Sequence, residues 1–130
     1  MARPRILLAD DHPGVAEALK SLLSSEFELV ATVGDGLAMV SAATRLEPDV
    51  IVADISMPGL DGLNALAELR KINPHVKVVF TTMYGEASFV SLALEAGAFG
   101  FVLKHSAADE LIPAVRAALD GKTYLPPALL

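Results

Sequence analysis

The chain contains no cysteine and no tryptophan, and only 5% of its 130 residues are aromatic. The absence of cysteine excludes disulfides, thiol nucleophiles and zinc sites built on thiolates. No apolar run approaches the roughly 18 residues that a membrane-spanning helix needs. The apolar stretch near the N-terminus runs only from Ile6 to Ala9, which is too short for a secretory signal. These absences favour a cytoplasmic protein with no membrane partner.

Basic residues are also scarce, because ten Lys and Arg face 16 Asp and Glu, for a net charge of −6. A surface of this sign repels the phosphates of nucleic acids. We therefore expect any contact with DNA to go through a further domain rather than through this segment. The hydrophobic fraction of 53% argues against disorder, and the length suits one compact domain with a buried core.

Five short runs rich in Val, Ile and Leu predict β-strands. They are Arg5–Ala9, Leu29–Val33, Val50–Ala53, Val76–Thr81 and Gly100–Leu103.

Segments with helical spacing separate these runs and follow the last one. Their predicted apolar faces are Val15/Leu19/Leu22/Leu23, Leu37/Val40/Ala43, Leu63/Leu66/Leu69, Val90/Leu94/Ala98 and Leu111/Val115/Ala118/Leu119. Ser106 and Asp109 resemble a capping box before the last helix. Gly121 is placed to end that helix.

Alternation of five strands with five helices predicts a parallel sheet with helices on both faces. We therefore expect an α/β fold of the flavodoxin-like (βα)5 kind, an open doubly wound parallel sheet with strand order 2-1-3-4-5. The domain should cover residues 1–121. Residues 122–130 carry a Pro-Pro pair, which is typical of the start of a linker.

Polar residues follow four of the predicted strands, where a parallel sheet of this kind places its ligands. Asp10 and Asp11 follow the first strand, Asp54 the third, Thr82 and its neighbour Thr81 the fourth, and Lys104 the fifth. Carboxylate oxygens suit Mg²⁺, and an aspartate can act as a nucleophile toward phosphorus. A lysine near it would stabilise charge on a transferring phosphoryl group. The sequence thus predicts a phosphate-handling Mg²⁺ site at this edge.

The same residues resemble those of the response-regulator receiver domains of bacterial two-component signalling. The matching segments are Asp10-Asp11, Asp54 to Gly62 (DISMPGLDG), Thr82 and Gly97 to Lys104 (GAFGFVLK). Three further segments resemble the nitrate and nitrogen-fixation regulators, the NarL/FixJ or LuxR type: Leu8 to Pro13 (LADDHP), Gly34 to Gly36 (GDG) and Gly121 to Pro126 (GKTYLP).

The resemblance implies that Asp54 is the phosphoacceptor and takes its phosphoryl group from a cognate histidine kinase or a small acyl phosphate. It implies that Asp11, Asp54 and the backbone carbonyl of Ser56 ligate Mg²⁺, with Asp10 acting mainly through water. It also implies that the domain is no enzyme beyond its own phosphotransfer and autodephosphorylation.

For the switch, the resemblance implies that Lys104 pairs first with Asp54 and then with the phosphoryl group. Thr82 would close on the phosphate, and Phe101 would swing inward as the threonine moves. Members usually continue into a helix-turn-helix DNA-binding domain and can form homodimers on phosphorylation, so transcription is the expected output. A stand-alone receiver is the alternative.

Three other functions compete with this one. A phosphohydrolase with an aspartyl nucleophile would usually carry a second aspartate where Ser56 stands. A degenerate receiver, acting only in protein interactions, would usually lack one of the acidic or lysine positions. Nucleotide binding would need a glycine-rich phosphate loop. His12 adjoins the acidic pair, but because Mg²⁺ prefers oxygen we interpret it as a loop residue.

Overall fold

The protein was analysed as a computed structural model, which describes residues 2–83 and 87–127. Five strands alternate with five α-helices in this part of the chain, as the sequence predicts. The strands are β1 Arg5–Ala9, β2 Glu28–Val33, β3 Val50–Asp54, β4 Val78–Thr82 and β5 Gly100–Leu103. The helices are α1 Pro13–Ser24, α2 Gly36–Leu46, α3 Gly62–Ile72, α4 Ala87–Glu95 and α5 Ala107–Leu119, with a short 3-10 segment at Lys104–Ser106.

All neighbouring strands pair in parallel, in the order β2-β1-β3-β4-β5. The predicted flavodoxin-like fold and strand order are therefore confirmed. β2 is added on one side of β1, and β3, β4 and β5 are added on the other side. The order of strands therefore reverses between β1 and β3, which are hydrogen-bonded neighbours. Because all five strands run the same way, the residues that follow β1, β3, β4 and β5 meet at one edge of the sheet.

Alternate residues of each central strand enter two separate hydrophobic layers, because successive side chains of a strand point to opposite faces. Leu7 and Ile51 pack with α2, α3 and α4 on one face. Ile6 and Val50 pack with α1 and α5 on the other face. Strands β1, β3, β4 and β5 are buried along their length, apart from the half-buried first residue of β1. This rigid layer holds the strand ends in place.

Some predicted boundaries and faces were wrong. The structure starts β4 at Val78, two residues later than predicted, because Val76 closes a turn in which its N–H donates to the Asn73 carbonyl (3.2 Å). Leu37 lies 68% exposed, since the buried side of α2 is formed by Met39 and its neighbours. Leu94, predicted on the buried face of α4, is also exposed.

The two ends of α5 gave opposite outcomes. Ser106 makes no side-chain capping hydrogen bond, so the predicted capping box was wrong. The preceding 3-10 turn leaves Ser106 at φ −107° and ψ 6°, which is not the extended backbone of an N-cap residue. Gly121 has φ +75°, and the N–H groups of Gly121 and Lys122 donate to the Ala118 and Ala117 carbonyls (2.9 and 2.8 Å). This pattern is a Schellman motif, as predicted for Gly121.

The segment after α5 lies against β5. The Phe101 N–H donates to the Tyr124 carbonyl (3.1 Å), and the Tyr124 N–H donates to the Phe99 carbonyl (3.0 Å). The phenol of Tyr124 donates to Glu110 (2.9 Å), and Pro126 is buried. Residues 124–126, predicted to begin a linker, therefore cover the free edge of the sheet, where unpaired backbone groups would otherwise be exposed.

The pKa of the Tyr124 phenol reports whether residues 124–126 are packed against β5. Three causes raise the pKa of Tyr124 to about 12: burial of the phenol, which is the largest, its hydrogen bond to the Glu110 carboxylate, and the negative charge of that carboxylate. The unfolded chain loses this proton near pH 10 and the folded chain retains it, so stability falls as the pH rises from about 10 to 12.

We expect the phenol in the Tyr84→Phe variant, where Tyr124 is the one tyrosine left, to titrate near pH 12. The measurement is ultraviolet absorbance of the phenolate, with circular dichroism checking the fold at each pH. Adding Glu110→Gln should lower this pKa, whereas the exposed control Glu17→Gln should not. A phenol that titrates near pH 10 in the folded Tyr84→Phe variant would show that the segment is undocked in solution.

No helix in residues 2–83 and 87–127 is long and apolar enough to cross a membrane.

Candidate functional site

The polar residues that follow β1, β3 and β5 meet at the carboxyl-end edge of the sheet, as predicted. Asp10 and Asp54 are nearly inaccessible, with exposures of 4% and 3%. Asp11 is more open, with 30% of its side chain exposed. Lys104 comes from the end of β5 and begins the 3-10 turn. The sheet thus collects two buried carboxylates, a more open third and a buried ammonium group in one pocket.

Lys104 joins the two buried carboxylates. Its Nζ lies 2.8 Å from Asp54 Oδ2, to which it donates a hydrogen bond, and 2.8 Å from Asp10 Oδ2. Burial lowers the pKa of Lys104, but its close contacts with the Asp10 and Asp54 carboxylates and their negative charge outweigh that effect and raise the pKa above its ordinary value. The lysine is therefore charged at neutral pH, which suits a group that must pair with an anion.

The loop after Asp54 is tightly held. The Ser56 N–H donates to Asp54 Oδ1 (3.1 Å), and the Gly62 N–H donates to the Ile55 carbonyl (3.0 Å). A Cβ on Gly62 would overlap the Asp54 carbonyl oxygen, so only glycine allows α3 to begin this close to the end of β3. Asp61 caps α3 by accepting a hydrogen bond from the Asn64 N–H (2.8 Å). These contacts fix the orientation of the Asp54 carboxylate.

The pocket has the donor set of a divalent cation site. Asp10, Asp11, Asp54 and His12 each offer a ligand atom, and these atoms lie within 4.8 Å of one another. Asp10 Oδ2 is buried and accepts no hydrogen bond from the described residues, so its contact with Lys104 is an ion pair outside hydrogen-bond angles. Three carboxylates this close together repel one another, and a divalent cation relieves that repulsion; oxygen ligands are those that Mg²⁺ prefers. The residues present therefore fit Mg²⁺.

The two threonines at the end of β4 point to opposite faces of the sheet. Thr81 pairs in register with Asp54, and Thr82 pairs with Leu103. Residues in register on neighbouring strands share a face, so Thr82 lies on the face that also carries Phe101, which pairs with Phe80. Phe101 is fully buried in the layer beneath α4. The two residues predicted to act in the switch therefore share one face, and the roles assigned to them stay predictions.

Removal of the Thr81 hydroxyl should stabilise the fold. Its side chain is fully buried, and its Oγ1 has no hydrogen-bond partner within residues 2–83 and 87–127. A buried unpaired hydroxyl costs about 1 kcal/mol or more. We expect Thr81→Val to raise the free energy of unfolding in urea by about 1 kcal/mol. A decrease would show that the hydroxyl has a partner in solution, such as a buried water.

His12, predicted to be a loop residue, does lie in the loop between β1 and α1, but its contacts were not predicted. The structure makes it the residue before α1, and its Nδ1 lies 3.2 Å from Asp10, 3.1 Å from Asp11 and 3.4 Å from Asp54. The signal that could have located it is Pro13, because a proline restricts the preceding residue to extended backbone. The resemblance to receiver domains also implies that Tyr84 flanks the site, and this residue lies outside the described residues.

Comparison with known proteins gives a consistent result. The family model for the response regulator receiver domain matches residues 6–116. The transcriptional regulatory protein DegU of Brevibacillus brevis is 38% identical over 125 residues, which cover 95% of this chain and 53% of DegU. The chain therefore spans about half the length of this relative. The oxygen regulatory protein NreC of Staphylococcus epidermidis is 35% identical over 124 residues, covering 93% and 57%.

Among solved structures, a LuxR-family two-component response regulator from Aurantimonas superposes with a TM-score of 0.94 at 32% identity, covering 98% of this chain and 93% of that one. The isolated receiver domain of RcsB from Salmonella enterica, determined with the phosphomimetic BeF₃⁻, superposes with a TM-score of 0.88 at 26% identity, covering 98% and 96%.

Proposed function

Because the chain belongs to the response regulator receiver domain family and is the receiver domain of a LuxR/NarL-type regulator, we propose that Asp54 is its phosphoacceptor. The observation that carries this proposal is the geometry of Asp54, whose carboxylate is buried, oriented by the Ser56 N–H and contacted by Lys104. A carboxylate held in one orientation beside a cation is a suitable nucleophile toward phosphorus.

The step is an in-line phosphoryl transfer. A carboxylate oxygen of Asp54 attacks phosphorus, a new O–P bond forms, and the bond to the leaving group breaks with its electron pair. The leaving group is an imidazole nitrogen of a kinase histidine, or acetate when acetyl phosphate is the donor. Asp10, Asp11, Asp54 and the Ser56 carbonyl would hold Mg²⁺. The bound ion would neutralise charge on the phosphoryl oxygens.

Lys104 and Thr82 are proposed to contact the phosphoryl group once it is on Asp54. Phosphorylation adds a charge of about −1.5 to −2 and new acceptor oxygens, so the Lys104 ammonium would move its contact from the Asp54 carboxylate to the phosphoryl group. The Thr82 hydroxyl would donate to a phosphoryl oxygen and draw the end of β4 inward. Phe101, on the same face, would follow it. The surface changed by this movement would include α4, β5 and α5.

The partners follow from the family. We propose a cognate histidine kinase as phosphodonor and a homodimer after phosphorylation. DNA would be contacted only through a separate output domain, since this chain spans 53% of DegU, which is a transcriptional regulatory protein. Autodephosphorylation and a cytoplasmic location are part of the same proposal.

The test is incubation with acetyl phosphate and Mg²⁺, followed by intact mass spectrometry at neutral pH. We expect one phosphoryl group per chain, lost on treatment with hydroxylamine, which cleaves acyl phosphates, and absent when EDTA removes divalent ions. A hydroxylamine-stable adduct would place the group on another side chain. No adduct with any acyl-phosphate donor, from a folded and Mg²⁺-loaded protein, would count against a phosphoacceptor role.

A further inference from the structure

His12 lies inside the acidic pocket rather than beside it. Its Nδ1 is 3.1 Å from Asp11 Oδ1, 3.2 Å from Asp10 Oδ1 and 3.4 Å from Asp54 Oδ2. One nitrogen atom therefore contacts all three carboxylates that form the proposed cation site. The imidazole nitrogen and one oxygen of each carboxylate all lie within 4.8 Å of one another, so a cation bound by the carboxylates would lie within reach of His12 Nδ1.

The backbone fixes the position of the imidazole. The His12 N–H donates to Asp10 Oδ1 (2.8 Å), and the His12 carbonyl accepts from the Ala16 N–H (2.8 Å) in the first turn of α1. Pro13 at the start of the helix keeps His12 extended, at φ −100° and ψ 105°. Its side chain is 55% exposed, so the outer side of the pocket stays open to water and to a phosphoryl group.

Nitrogen and oxygen ligands select different ions. Imidazole nitrogen adds little for Mg²⁺, which prefers oxygen, but it strengthens binding of first-row transition dications. The pocket combines one nitrogen with three carboxylates within 4.8 Å. We infer that His12 Nδ1 is a direct metal ligand and that it increases the preference of the pocket for a first-row transition dication such as Co²⁺ or Zn²⁺ over Mg²⁺. This inference rests on the proposed cation site.

The test measures metal binding to the unphosphorylated protein, with Co²⁺ as the probe. Co²⁺ binding is followed by visible absorbance, and Mg²⁺ affinity by its competition with Co²⁺. In proton NMR of the Co²⁺-loaded protein, a directly bound imidazole gives a strongly shifted, exchangeable ring N–H signal. We expect that signal in the parent protein and its loss in His12→Asn.

The affinities give a second readout. His12→Asn should weaken Co²⁺ binding by about 10-fold or more, on the scale of losses seen when the surroundings of a metal are altered, and should change Mg²⁺ binding by a much smaller factor. His75→Asn, in an exposed turn, is the matched control and should change neither. Asp11→Asn should weaken both ions.

Two failures are distinguishable. If Co²⁺ and Mg²⁺ bind and Asp54 is phosphorylated, but the shifted ring signal is absent or His12→Asn weakens both ions equally, then the imidazole only pairs with the carboxylates by charge and this inference is wrong. If neither ion binds and no phosphoryl adduct forms, the proposed function fails as well.

Discussion

The Asp54→Asn variant is expected to stay unmodified when it is incubated with acetyl phosphate and Mg²⁺. The amide has no carboxylate oxygen with which to form an acyl phosphate, and it removes one charge from the proposed cation site. Intact mass spectrometry should show the phosphoryl adduct in the parent protein and none in the variant. This is the largest effect that the proposed function predicts for a single substitution.

The loss should not arise from unfolding. Asparagine has the shape of aspartate, and its side-chain oxygen can still accept from the Lys104 ammonium or the Ser56 N–H, the two donors that hold Asp54. It also removes one of three neighbouring negative charges. We therefore expect Asp54→Asn to keep the thermal stability of the parent or to exceed it slightly.

Asp61→Asn is the matched control, because Asp61 lies in the same loop and caps α3, and asparagine is an equally good N-cap residue. This variant should be phosphorylated like the parent. An adduct that persists in Asp54→Asn would move the phosphoacceptor to another residue, with Asp11 the first to test.

Those parts of the fold that follow from local periodicity were predictable. The segments 5–9 and 100–103 are short, mostly apolar runs bounded by polar or turn residues. The structure gives both strands the predicted bounds. The rule that parallel strands gather their carboxyl ends at one edge predicts that Asp10, Asp54 and Lys104 meet, and the structure places them in contact. Position in the topology was enough for these residues.

Other features depend on contacts between residues distant in sequence, which periodicity does not encode. Tyr124 reads as part of a Pro-containing tail, yet it pairs with β5 because Phe99 and Phe101 present free backbone groups at the edge of the sheet. Leu37 has the spacing of a buried residue, but its exposure is set by how α2 meets the sheet. A Cβ on Gly36 would meet the Leu60 backbone, and this close approach fixes that orientation.

The site shows the same division. The identity of the three carboxylates came from sequence, whereas the place of His12 came from a side-chain direction set by Pro13 and the start of α1. The resemblance selects Thr82 over Thr81, and the register adds that the two residues lie on opposite faces; the role of Thr82 stays a prediction.

Lys104→Met is the substitution expected to lower stability most within this site. The side chains of Lys104, Asp10 and Asp54 are 4%, 0% and 4% exposed, so the variant leaves two buried carboxylates without their cation. We expect the free energy of unfolding to fall by about 3 kcal/mol, the lower end for a buried ion pair that loses one partner. Urea unfolding in EDTA measures this change.

Added Mg²⁺ should restore part of the loss, because the ion supplies the positive charge that the carboxylates lack. The gain on adding Mg²⁺ should therefore be larger for Lys104→Met than for the parent protein. Lys71→Met is the matched control, since Lys71 pairs with Glu68 on the surface, where the side chains are 72% and 51% exposed. Such a pair contributes less than about 1 kcal/mol.

The pH dependence separates charge from packing in this result. The pKa of Lys104 is raised in the folded state, so its stabilising contribution is complete below its ordinary value of 10.5 and is lost as the pH rises through the folded-state value. The difference in stability between the parent and Lys104→Met should therefore be constant near neutral pH and narrow above pH 10.5. A difference that persists unchanged at high pH would show that the aliphatic part of the lysine, and not its charge, stabilises the pocket.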